Sequence, residues 1–207
     1  MDPLSKVLYE LNVEGRLYFQ KSLALPWSVN VHRAENVVRF HIVKSGHCYV
    51  RLNAGSESIL VEQGDILLIT QGESHTIYSD LSSETESIEL NQILYSDFEM
   101  IDDTLLSKYN STKVITQLVC GHYTFDRSSS ASLLSTLPIV IHKKNSNDEF
   151  SHWMSNTLEL CSLSASNSFP HSDIVVVKAA EIALALAIRM HLHSKGFKPI
   201  AINDLLK

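Results

Sequence analysis

Gly64-Asp65-Ile66-Leu67-Leu68-Ile69-Thr70-Gln71-Gly72-Glu73-Ser74-His75 is the stretch whose reading decides the fold. Gln63-Gly64 is a turn pair, Ile66 opens a run of four apolar residues, and Gln71-Gly72 turns the chain again before His75-Thr76-Ile77-Tyr78. Four apolar residues between two glycine turns are too few for a helix and suit a buried strand. Gly64-Asp65 reverses the chain, the apolar run crosses the interior, and Gly72 allows the bend that aims His75 inward.

The same punctuation extends on both sides. Residues 37–44, the pair Ser45-Gly46 and residues 47–53 read as a strand, a tight turn and a strand. Asn53-Ala54-Gly55 is the next turn, followed by a strand over 58–62. Upstream, Leu17/Phe19 and Val29/Val31 alternate with polar neighbours, and Pro26-Trp27 marks a bend or an edge. Downstream, the strand pattern resumes over 114–125. Strands this short and this regularly interrupted predict a barrel or sandwich.

Helical periodicity appears at the ends. Leu4, Val7, Leu8 and Leu11 predict a short helix over 3–13. Residues 80–112 are polar and acidic, a long excursion that Ile93, Leu94, Tyr95 and Phe98 would anchor. Phe150, Trp153, Met154, Leu158 and Cys161 predict a helix over 148–164 capped by Asp148. Ser172 or Asp173 caps a second, long helix that runs to about Lys195 and stops at Gly196. That helix is apolar nearly all round, so it must be covered on most sides. Part of the cover is expected from a second copy of the chain, with Ile182, Leu186 and Met190 at the interface.

Composition narrows the function. The chain has 207 residues, 44% apolar and 19% charged, in the range of an ordinary globular protein. Its 17 basic and 23 acidic residues give a net charge of −6, wrong for a domain that must neutralise phosphates by itself. The densest basic cluster is only Lys143-Lys144. No apolar stretch is long enough to span a membrane, so no membrane partner is expected. Met1-Asp2-Pro3-Leu4-Ser5 lacks the pattern of a secretory signal. Cys48, Cys120 and Cys161 are odd in number and widely spaced, which suits a reducing compartment, so the cytoplasm is the expected location.

The opening stretch resembles the second cupin motif, with the spacing from Gly64 through Gly72 to His75 intact and Thr70 where proline is usual. The region around Lys44-Ser45-Gly46 matches the first motif. Phe40-His41-Ile42-Val43-Lys44-Ser45-Gly46, residues 118–126 and Leu133-Leu134-Ser135-Thr136-Leu137-Pro138 look like the cupin-type sensor domain at the front of AraC-type transcription regulators. The resemblance covers about residues 2–195. It implies a mainly β fold with C-terminal α, a jelly-roll barrel over residues 1–145 and an antiparallel pair of dimerising helices within 146–207. It further implies a small-molecule effector, a homodimer, and DNA contact only through a helix-turn-helix domain absent from this chain. The end at Asp204-Leu205-Leu206-Lys207, close to where that domain would begin, favours a truncated regulator over a natural stand-alone domain.

Catalytic cupins hold a divalent metal with three histidines and a glutamate. At the corresponding places this chain has Arg33, Glu35 and Arg39, and only His75 matches. An enzyme is therefore not expected. The alternative is a stand-alone metal cupin. Period-2 alternation puts His41 on the same face as position 39, and Cys120 shares a face with His122. His41, His75 and Cys120, with His122, could supply the nitrogen and sulfur ligands that zinc prefers. In the other reading His41 and His75 are interior histidines with satisfied hydrogen bonds and Cys120 is a small buried hydrophobe. His41, Val43, Cys48, His75, Cys120 and Trp27 are the candidates for lining a ligand pocket. No serine lies in a nucleophile elbow, and no glycine-rich phosphate loop is present.

Overall fold

The computed structural model describes residues 13–24, 26–52, 57–80, 87–90, 115–125, 134, 137–149, 151–153, 156 and 172–194. The described strands form two five-stranded sheets. The first is ordered β1 (Glu14–Ala24), β9 (Ile115–Thr124), β3 (Val37–Ser45), β6 (Ile66–Ile69), β10 (Val140–Lys143). The second is ordered β5 (Ile59–Glu62), β4 (His47–Leu52), β7 (His75–Tyr78), β2 (Ser28–Val31), β8 (Ile88–Glu89). Every pairing is antiparallel except that of β2 with β8. The turn at Gly46 (φ +77°) is present, but it closes no hairpin. β3 and β4 lie in different sheets, so the chain crosses the barrel wall there.

The alternation of side chains along β3 sorts the core. Val38, Phe40 and Ile42 join Ile66, Leu68, Val119 and Tyr123 on the outer face of the first sheet. That face is covered by Ala183, Leu184 and Ile188 of helix α1 (Ser172–Ser194). Val43, on the opposite face, joins Val29, Val31, Cys48, Val50, Leu67, Leu118 and Cys120 between the two sheets. β3 and β6 are thus covered on both faces, which is why Ile66 to Ile69 is apolar without interruption. Each such fully buried side chain contributes about 1.5–3 kcal/mol. Gly15 brings α1 close to β1: its N–H donates to Glu181 Oε1 at 2.9 Å, and a Cβ there would stand 3.0 Å from Val177 Cγ1.

The deciding stretch works by identifiable contacts. Gly64 (φ +85°) and Gly72 (φ +60°) both take left-handed backbone. The Ala34 N–H donates to the Gly72 carbonyl at 3.0 Å. Asp65 is buried, and its carboxylate accepts from the backbone N–H groups of Glu62 (3.1 Å) and Asn145 (2.6 Å) and from His142 Nε2 (2.8 Å). Thr70 explains its own departure from proline. Its N–H, which proline lacks, donates to the Ile139 carbonyl at 2.9 Å, and its Oγ1 donates to the Pro138 carbonyl at 2.7 Å. Thr70→Pro is therefore expected to destabilise the fold by about 2 kcal/mol, read from urea denaturation. A stability unchanged from wild type would mean that this anchor of β10 is dispensable.

Some expectations need amendment. β8 lies inside the 80–112 excursion, paired parallel with β2, and β10 carried no alternating signal strong enough to predict it. Asp148 does cap a helical start: its Oδ1 accepts from the Ser151 N–H at 2.7 Å. The antiparallel helix pair is not seen, because only α1 and this first turn are described. Val13, the end of the helix expected over 3–13, is not helical and packs against the core. Residues 3–12, the turn at 53–56, residues 81–86 and 91–112 of the excursion, Phe150, Met154, and residues 155 and 157–171 with Cys161 lie outside the described residues.

Candidate functional site

β3, β9 and β7 bring His41, Cys120 and His75 together inside the barrel. His41 and Cys120 are register partners across the β3/β9 ladder. All three are buried, at 0%, 1% and 3% exposure. Cys120 Sγ lies 3.2 Å from His41 Nδ1, His41 Nε2 lies 2.8 Å from His75 Nε2, and His75 Nδ1 lies 2.9 Å from the Glu73 carbonyl. The carbonyl can only accept, so His75 carries its proton on Nδ1 and leaves Nε2 as an acceptor. His41 must then donate from Nε2 and accept at Nδ1, where the Cys120 S–H donates. One set of neutral tautomers satisfies every bond in the chain.

Burial keeps these groups neutral. It lowers His41 well below the usual histidine range, with His75 and Arg39 adding to the effect. It also brings His75 down to about 4, partly opposed by the hydrogen bond to Glu73. Burial raises the Cys120 thiol well above its usual range, with Cys48 adding to the effect, and raises Cys48 to about 12. Neither thiol is a thiolate near neutrality, so neither is set up as a nucleophile.

The expected metal donors lie along a line, not around a point. Cys120 and His75 sit on opposite nitrogens of the His41 ring. An ion at Nε2 would therefore be remote from the sulfur. Two nitrogens on one tetrahedral zinc stand about 3.3 Å apart, whereas the His41–His75 separation is that of a hydrogen bond. His122 shares the inward face of β9 but stacks on Tyr18, with ring centroids 4.8 Å apart. Among the described residues, no group of three or more His, Cys, Asp or Glu converges as a metal set. These residues do not fit a resident metal.

The other predicted residues fall into two places. Val43, Cys48 and Trp27 are in the interior cluster, and Trp27 Nε1 is buried without a hydrogen-bond partner among the described residues. On α1, Ile182 (49%) and Met190 (40%) are exposed and Leu186 is half-buried, while Ala183, Leu184 and Ile188 face the sheet. His75 also lines a cleft of about 310 Å³ at the mouth of the barrel, with Asn30, Val31, His32, Arg51, Ser74 and Thr76. Sequence reading missed Arg39 as a site residue. It shares the inward face with His41 at period 2, and that shared face was the available signal.

Two five-stranded sheets enclosing a buried histidine, entered through two left-handed glycine turns, define a cupin barrel. A family model described as cupin matches residues 2–193, and the chain belongs to the cupin family. It is similar to proteins named as AraC-like transcription regulators from Streptomyces antibioticus, 29% identical over 142 residues, and Streptomyces lividans, 28% identical over 142 residues. In both comparisons 69% of this chain and 44% of the relative are covered, so the chain spans less than half the length of these relatives. Solved structures with some likeness include YhaK from Escherichia coli, at 11% identity and a TM-score of 0.39, covering 66% of this chain and 45% of that one. ToxT from Vibrio cholerae matches at 12% identity and a TM-score of 0.36, covering 86% and 54%. Among the described residues no helix is long and apolar enough to cross a membrane.

Proposed function

We propose that this chain is the effector-sensing and dimerisation part of a cytoplasmic AraC-type transcription regulator, without catalytic residues of its own. One observation carries the reading: β3 presents His41 and Val43 to the barrel interior and Phe40 and Ile42 to the packing against α1. A small molecule that shifts β3 from inside therefore moves the seat of the helix, with one backbone between signal and response. The cleft at His75 is the proposed entrance, and Val43, Cys48, Cys120 and Trp27 are the proposed interior wall. DNA would be reached only through a domain outside this chain. Such coupling requires the effector to favour one of two seatings of α1.

Native mass spectrometry of the untagged protein tests both halves. The expected species has the mass of two chains, and a co-purifying small organic adduct would identify the effector. Met190→Glu, which puts a charge on the exposed stripe, is expected to shift the population to single chains by at least ~10-fold in dissociation constant. A wild-type protein that is one chain at micromolar concentration would overturn the dimerisation half.

A further inference from the structure

We propose that Arg39, Tyr18 and His122 form a subsite, between β1, β3 and β9 inside the barrel, for the carboxylate of a small organic acid. The inference rests on the effector-sensing reading and names the chemical class of the effector.

Arg39 is 4% exposed, on the inward face of β3 two residues before His41. Its Nη1 donates to Tyr18 Oη and its Nη2 to the His32 carbonyl, both uncharged acceptors. Its Nε is buried without a hydrogen-bond partner among the described residues. The ion pairs among the described residues use Glu14, Glu73, Glu89, Asp65, Asp148 and Glu181, and none of them reaches Arg39. A buried guanidinium without a counter-charge is rare, because desolvation of the cation is offset only by a paired anion.

Two further groups gather at the same place. Tyr18 accepts from Arg39 and retains its own hydroxyl proton to donate, and burial raises its pKa, keeping it a neutral phenol. His122 stacks on the Tyr18 ring, and its Nδ1 is buried without a hydrogen-bond partner among the described residues. Burial, with Arg39 and Arg16 adding to the effect, lowers its pKa, so this ring is neutral and can present an N–H from Nδ1. The Arg39 guanidinium carbon lies 5.6 Å from the Tyr18 ring centroid, so the three side chains are one cluster.

Donors without a matching anion select an anion. The uncompensated charge is single, which a carboxylate matches, whereas a phosphate dianion would leave a second charge buried. Behind Arg39 and His122 the inward faces of β3 and β9 carry the His41–Cys120 pair and then Val43 and Leu118, an uncharged wall for the organic body behind the carboxylate. Tyr18 and His122 are only half-buried, so this end of the barrel is reachable, and His32 belongs to the wall of the cleft at the barrel mouth.

The test is calorimetric titration of the full chain with acids and their own amides: hexanoate against hexanamide, benzoate against benzamide, with sulfate as a further anion. The acids are expected to bind at least ~10-fold more tightly than the amides, since charge-assisted hydrogen bonds are the stronger ones. Arg39→Gln is expected to weaken acid binding by about 10- to 100-fold and amide binding by less than about 5-fold, since the amide loses only a neutral hydrogen bond. Tyr18→Phe should weaken acid binding severalfold, and it keeps the test open if Arg39→Gln does not fold. Equal binding of acid and amide, indifference to Arg39→Gln in a folded variant, or no acid binding overturns the subsite. Sulfate binding as tight as the acids overturns the carboxylate assignment. Neutral amides that bind a dimer as well as the acids do would leave the sensor reading standing and remove only this inference. Absence of any binding in a single-chain protein would remove both.

Discussion

Unfolding free energy, measured by urea titration, is expected to fall by about 3–4 kcal/mol between pH 7 and pH 5. His41 and His75 cause the loss. In the unfolded chain each takes up a proton near pH 6.5. In the folded barrel His75 does so only near 4, and His41 lower than the usual range. Between those values the unfolded state holds more protons than the folded state, so acid favours unfolding. Stability is complete above about pH 6.5 and is lost as pH falls toward the folded values, at up to about 1.4 kcal/mol per pH unit for each histidine. His122 acts in the same direction but is half-exposed and adds less. Asp148 does not contribute in this window, because Lys143 holds its carboxylate well below the usual range.

The histidine chain also predicts how substitutions combine. The double variant His41→Leu/His75→Leu should flatten the pH dependence to under ~1 kcal/mol, because both titrating groups are gone. At pH 7 it should lose about 1–2 kcal/mol, because the His41–His75 bond is removed from both sides and only the Cys120 S–H and the Glu73 carbonyl lose a partner. His41→Leu alone leaves His75 Nε2 buried without its donor, and is expected to lose about 1–3 kcal/mol more than the double variant does. An unchanged pH slope in the double variant would assign the titration to other groups.

Gly72→Ala is the second large effect, expected to lower stability by about 3 kcal/mol or more. The residue has φ +60°, and an added Cβ would stand 1.9 Å from the Ala34 carbonyl oxygen. That oxygen is backbone, and the Ala34 N–H is already committed to the Gly72 carbonyl. Neither partner can rotate away. Gly64→Ala makes the informative comparison. Its φ is similarly positive, but the nearest obstacle is the Asn145 side chain, which can swing clear. About 1–2 kcal/mol is expected there, from backbone conformation alone. Equal losses at the two sites, read by thermal or urea denaturation, would show that the Ala34 contact does not matter.

Some elements of this fold are set by their own residues and others by the strand beside them. The Ile66–Ile69 strand, the turns at Gly64 and Gly72 and the strand at His75–Tyr78 were legible because each depends on its own residues: a short apolar run, and glycines where the backbone must be left-handed. The Asp148 cap was legible for the same reason, a side chain three residues from the N–H that it serves. β8 and β10 were not, since each is short and is defined by the strand beside it, β2 in one case and β6 in the other. The Ser45-Gly46 turn could be seen, but the change of sheet that follows it depends on long-range pairing.

The candidate site divides along the same boundary. Alternation along β3 was enough to put His41 inside, and the glycine spacing was enough to aim His75 there. Sequence by itself therefore determined the fold class, the family and the presence of two interior histidines. Only the tertiary structure decided that His41 stands between Cys120 and His75, one ring nitrogen to each, and so hydrogen-bonds in a line instead of gathering ligands around an ion. It also decided that Arg39 is buried among Tyr18, His122 and the His32 carbonyl with no carboxylate paired to it among the described residues. The physical reason is common to both. Periodicity tells which way a side chain points, whereas the partner it meets comes from another strand, and strand order and register are settled by packing the whole barrel.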